Sequence, residues 1–202
     1  MKRYLALAGW GFVLLGAAYS VQADEKSEPP AAKPIKDLDV GGHVPTTPTW
    51  VVASEQFKRF EGKVTCLAGV HRDQRAISIY ARGDSPDLWK LLKTIDDRLA
   101  DYPQIKAYVV IQKKLTDDEG YKDSQEYFKV TEERARAQKL KRVDVALARN
   151  PIDRLLGAEN RLRLVYSNKR NIELCESFDR LELKPEEAQA VMSRIIKLAQ
   201  GN

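Results

Sequence analysis

Hydrophobic residues between positions 76 and 198 follow two alternating rhythms, that of strands and that of helices. The run Ala76-Ile77-Ser78-Ile79-Tyr80-Ala81 has the length and composition of a strand. It passes through Gly83-Asp84-Ser85-Pro86-Asp87 into Leu88, Leu91, Leu92, Ile95 and Leu99, which share one face at helical spacing. Ser85 is placed to cap this helix, and Pro86 suits its first position. Trp89 is expected partly exposed on it. Tyr102-Pro103 ends the helix, and Ala107-Tyr108-Val109-Val110-Ile111 follows as an almost unbroken apolar run, the pattern of a strand buried on both faces. Strand, helix and strand in this order predict a parallel crossover.

Beyond the polar stretch Lys113–Asp123, a helix is predicted over residues 124–140 and a third strand over Val143-Asp144-Val145-Ala146-Leu147. Residues 162–166 and 172–178 alternate apolar and polar positions around Ser167-Asn168-Lys169-Arg170, which predicts a hairpin. Pro185-Glu186-Glu187 opens a last helix whose inner face is expected to carry Ala188, Val191, Met192, Ile195 and Leu198. The fold class that follows is α/β: a three-layer sandwich with a mixed central sheet and helices on both faces.

The first 49 residues obey neither rhythm. Lys2-Arg3, the apolar run Tyr4–Ala18 and then Val21-Gln22-Ala23 have the order of a secretory signal peptide, expected over residues 1–23. The apolar run is short of the ~20 residues a spanning helix needs, so no membrane insertion is expected once the leader is gone. Residues 24–49 hold five prolines and Gly41-Gly42 with few aromatics, which predicts a flexible tether ahead of a single domain over 50–202. The destination is exported, periplasmic or secreted.

Charge excludes one large class of partner. The formal +5 of the chain drops by two when Lys2 and Arg3 leave with the leader. The densest basic stretch, Arg134, Arg136, Lys139, Lys141 and Arg142, follows Glu132-Glu133 on a predicted helix and reads as a solvated mixed-charge face. Nucleic acid, which needs several phosphates neutralised on one surface, is not an expected partner. A protein partner of unspecified kind is compatible with these features.

Taken together, Gly62-Lys63-Val64 before the first core strand, the runs Ala76–Ala81 and Ala107–Ile111, the stretch Val143–Pro151 with Leu155-Leu156-Gly157, and the closing hairpin and helix resemble the thioredoxin fold. More closely they resemble its peroxiredoxin-type, alkyl-hydroperoxide-reductase-like branch. The resemblance covers residues 60–198. It implies a thiol chemistry whose reactive cysteine stands at the helix start, where backbone N–H groups and the helix dipole favour a thiolate. This chain has Arg82-Gly83-Asp84-Ser85-Pro86 there, with no sulfur. Residues 60–82 also resemble exported thioredoxin-like proteins with a C-x-x-C pair just before the strand, and the matching Cys66-Leu67-Ala68-Gly69 keeps only the first sulfur. The proline expected before the hairpin is replaced by Glu159-Asn160-Arg161. A dithiol cycle needs a second thiol to resolve the mixed disulfide, and Gly69 supplies none.

The chemistry left rests on Cys66 and Cys175, the only two cysteines. In an oxidising compartment they can form a disulfide or remain separate thiols, and Cys66 can alternatively act as a single nucleophile. His71 is the histidine closest to Cys66, but Arg72, Asp73 and Arg75 around it predict a surface loop. His43 falls in the expected tether. No ligand-spaced cluster for a transition metal occurs, Asp117-Asp118-Glu119 lacks calcium-loop spacing, and no nucleotide-binding glycine motif is present, so neither metal nor cofactor is expected. At Gly83–Pro86 an anion at the helix start is opposed by Asp84 and Asp87. Two readings remain: a binding or structural module that kept the scaffold without a complete redox motif, and a thiol-dependent oxidoreductase or peroxidase-like enzyme using Cys66 alone.

Overall fold

A computed structural model describes residues 38–113 and 121–201. The leader, the first part of the expected tether and Asp117-Asp118-Glu119 lie outside the described residues. In chain order the elements are β1 (Thr49–Ala53), β2 (Val64–Thr65), α1 (Leu67–Val70), β3 (Arg75–Arg82), α2 (Pro86–Arg98), β4 (Ile105–Gln112), α3 (Tyr121–Ala137), β5 (Val143–Ala148), α4 (Asp153–Leu156), β6 (Leu162–Asn168), β7 (Asn171–Phe178) and α5 (Pro185–Ala199). The strands form one mixed sheet in the order β2-β1-β5-β4-β3-β6-β7.

The predicted crossovers are present. β3 runs parallel to β4, with Ile77 opposite Ala107, and β4 runs parallel to β5, with Val109 opposite Val145. β6 and β7 add the hairpin on the other side of β3, both pairings antiparallel. Ser85 Oγ accepts from Leu88 N at 3.1 Å, and Pro86 takes the first turn of α2, as its sequence position predicts.

Alternation along the strands divides the interior into two clusters. On one face Ile77, Ile79, Val109, Val145, Leu164 and Tyr166 pack with the inner residues of α2 and α5 and with Ala135 of α3. On the other, Tyr80, Tyr108, Val110, Ala146 and Val165 pack with residues from the short α1 and α4 and with Leu38 and Val44. Three long helices therefore serve one face and two single-turn helices the other.

Leu38 and Val44 correct the tether expectation for the described residues from 38 onward. Both are buried, Gly41 N donates to Ile172 O at 2.8 Å, Val44 N donates to Arg170 O at 2.9 Å, and His43 bridges Asn171. The Arg170 guanidinium grips Val44 O from Nε and Nη2. The segment starts against β7 and ends in β1, at the opposite side of the sheet. It covers the face that the short helices leave thin, which is why two isolated aliphatic residues among prolines are buried. β1 itself was not predicted, because its five residues sit between Pro48 and Ser54 without an alternating pattern. On α5, Leu198 is exposed while Ile196 and Ala199 face inward, so the inner face is rotated slightly from the predicted stripe.

Candidate functional site

The β3–α2 junction brings Asp84 under cover. Gly83, at a φ of 94°, turns the chain out of the strand. Asp84 then points back, accepting from Trp89 Nε1 through Oδ1 and pairing with Arg134 Nη1 through Oδ2, and its side chain is only 4% exposed. Trp89 is buried by the same contact, which corrects the expected partial exposure. Arg134 likewise does more than line a solvated face, since it supplies the counter-charge for a covered carboxylate. The helix start therefore presents a capping hydroxyl and a neutralised carboxylate where a thiol enzyme of this resemblance would present its nucleophile.

Cys66 sits at the N-cap of α1, and Gly69 N donates to its Sγ at 3.3 Å. A Cβ on Gly69 would stand 3.6 Å from that sulfur, so the site of the absent second cysteine does lie beside the first. Cys66 and Cys175 are both half-buried and carry no disulfide in this structure. Both pack against the same core cluster.

Near Cys66 the sheet carries a buried polar group that the sequence reading did not assemble. Asp144 of β5, Tyr108 of β4 and Ser78 of β3 are register partners in one row across the sheet, continued by Val165 and Cys175. His71 lies over this row with 1% exposure, not on the surface as expected. Its Nε2 is 3.2 Å from Asp144 Oδ2, and its Nδ1 is 3.1 Å from Gln74 Oε1, so both ring nitrogens face oxygen acceptors. Tyr108 stacks on the imidazole at 5.6 Å between ring centres, and Phe57 meets it edge-on at 5.2 Å. Ser54 Oγ donates to Asp144 Oδ1 at 2.5 Å, so this serine supports the carboxylate and is not aligned by the histidine as a nucleophile.

The tyrosines next to Cys66 are tuned by burial. Desolvation pushes the Tyr108 hydroxyl up to about 12, against the opposing effect of its hydrogen bond from Ser78 at 2.6 Å. Tyr80 is raised well above the ordinary range by burial and by Tyr108 beside it. Both remain neutral at physiological pH. Among the described residues no group of three histidine, cysteine or acidic side chains is placed to hold a metal ion, and no helix is long and apolar enough to cross a membrane.

No protein-family model and no curated protein sequence matches this chain. Solved structures do. An uncharacterised conserved protein from Geobacillus kaustophilus aligns with a TM-score of 0.57 at 10% identity, covering 81% of this chain and 84% of its own. The thioredoxin domain of a thiol-disulfide oxidoreductase from Bacteroides vulgatus aligns with a TM-score of 0.51 at 10% identity, covering 78% of this chain and 98% of its own. The fold is thioredoxin-like. A yeast mitochondrial 1-Cys peroxiredoxin also aligns, with a TM-score of 0.50 at 9% identity, covering 81% of this chain and 78% of its own. Identities this low establish the scaffold of this thioredoxin-like chain and leave its chemistry to its own residues.

Proposed function

We propose that this chain is an exported thioredoxin-like module that binds or organises a protein partner and does not turn over thiols. The observation that carries the reading is Asp84. The start of α2 is where this scaffold favours a thiolate, and here a carboxylate 4% exposed is held there by Trp89 and Arg134. Export is supported by the order of basic, apolar and small residues over positions 1–23. A second reading keeps Cys66 as a lone nucleophile, and the Gly69 N–H directed at its sulfur is the feature in its favour.

Insulin reduction driven by dithiothreitol separates the two. The protein is expected to follow the uncatalysed rate. A rate above background that disappears in Cys66→Ser and survives in Cys175→Ser establishes the single-thiol enzyme instead.

A further inference from the structure

The seam between β1 and α3 is closed at one end and open at the other. Trp50 meets Phe128 edge-on, with ring centres 5.9 Å apart. Further along the same two elements the seam is lined by Ala53 and Ala135, and these small side chains leave a groove of about 600 Å³, within the range of small-ligand sites. Leu140, Val143 and Val145, all buried, complete its apolar floor. Because β3, β4 and β5 run parallel, this groove at the start of β5 lies at the end of the sheet away from the α2 start.

The rim carries charges of both signs, and its carboxylates are already matched. Glu61 Oε1 accepts from Ser54 N at 2.8 Å while its Oε2 faces Arg136 Nη2 at 3.5 Å, and Glu55 pairs with Lys58 at 3.1 Å. The ammonium groups of Lys139 and Lys141, on the same rim, have no ion pair or hydrogen bond among the described residues. The turn that carries them is fixed. Buried Asp96 accepts through Oδ1 from Lys141 N, Arg142 N and Val143 N at 2.8, 2.5 and 3.1 Å, and Gln56 Nε2 donates to Arg142 O at 2.8 Å. Lys139 has a φ of 52°, the left-handed position after a helix that glycine usually takes. A lysine is strained there, and such strain clusters where a side chain has to be presented to a ligand.

We propose that this groove binds a small amphiphilic anion, with its apolar body laid on Ala53, Ala135 and Leu140 and its anionic head received by Lys139 and Lys141. Burial of the apolar body supplies affinity, and the two unpaired ammonium groups select the sign of the head. A turn already held by Asp96 and Gln56 needs little ordering when the ligand arrives. The site involves no thiol, so it stands or falls independently of the redox reading.

Titration calorimetry of the purified protein with decanoate, kept below the concentration at which it forms micelles, tests it. One decanoate per chain is expected to bind saturably. Decyltrimethylammonium, with the same apolar body and the opposite charge, and acetate, with the charge and no body, should each bind at least tenfold more weakly. The double variant Lys139→Gly, Lys141→Gln should bind decanoate at least fivefold more weakly without a lower Tm, because glycine relaxes the left-handed turn and both positions are exposed. Ala135→Leu, which fills the groove, should abolish binding, and the lysine variant decides the matter should Ala135→Leu fail to fold. Absence of saturable decanoate binding, equal binding of decyltrimethylammonium, or an affinity undiminished in the lysine variant overturns the proposal.

Discussion

His71 Nε2 lies 3.2 Å from Asp144 Oδ2, and each side chain is 1% exposed. The two residues are 73 positions apart and join the segment after α1 to the middle of β5. Removing Asp144 leaves His71 Nε2 and the Ser54 hydroxyl buried without the carboxylate that both face, and a buried polar group left unsatisfied costs ~1–3 kcal/mol. Asp144→Ala is therefore expected to lower stability by that amount in urea unfolding. Arg72→Ala, which removes a pair exposed on both sides, should change it by less than ~0.5 kcal/mol. Equal effects would show that the His71–Asp144 pair does not hold the fold.

The buried tyrosines set the alkaline limit. Tyr108 keeps its proton to about 12 in the folded chain, against an ordinary 10.0 when unfolded. Between those values the unfolded chain binds fewer protons than the folded one, so stability falls as pH rises. It is fully present below the unfolded value and lost as pH passes through the folded one. Tyr127, also raised to about 12 chiefly by burial, adds in the same direction. Unfolding midpoints measured across this window should decline, and Tyr108→Phe should flatten the decline.

Residues 38–49 belong to the domain. Truncation to a chain beginning at Trp50 removes the buried Leu38 and Val44 and the contacts of Arg170 with Val44 O. Burial of two aliphatic side chains at ~1.5–3 kcal/mol each sets the scale, and a loss of at least ~2 kcal/mol is expected. A thermal midpoint unchanged from that of a chain beginning at residue 35 would show that this segment only rests on the sheet.

Arg134 differs from its exposed neighbours, because its partner Asp84 is covered. Arg134→Ala leaves that carboxylate with Trp89 Nε1 alone, and a cost of ~1–3 kcal/mol follows. Lys93→Ala, in an exposed pair with Asp97 on α2, should cost less than ~0.5 kcal/mol. Matching values in denaturant titration would mean that Asp84 is satisfied without Arg134.

What could be read from the chain depended on how local its determinants were. α2 was legible because its cap, its first-turn proline and its leucine stripe all lie within fifteen residues, and β3, β4 and the hairpin followed from runs of similar length. His71 was misplaced because its charged sequence neighbours point to solvent, while its burial depends on Asp144, Gln74 and the Tyr108 ring. The signal that did exist was Asp144 itself. A carboxylate inside a strand buried on both faces requires a partner. Leu38 and Val44 escaped notice for a related reason, since their partners come from β7 and the sheet face and no periodic pattern surrounds them. The absence of sulfur at the α2 start was plain in the sequence, whereas its replacement by a covered Asp84 with two partners appears only in three dimensions.

Whether this scaffold holds an activated thiol is read most directly from the reactivity of Cys66. Its modification by an aromatic disulfide reagent at neutral pH, followed in the folded protein and again in guanidinium, compares the folded environment with the bare thiol. With Cys66 half-buried at the cap of a one-turn helix and the α2 start closed by Asp84, the folded protein should react no faster than the unfolded chain. A folded-state rate an order of magnitude above the unfolded one, lost in Cys66→Ser, would contradict the non-catalytic function proposed above.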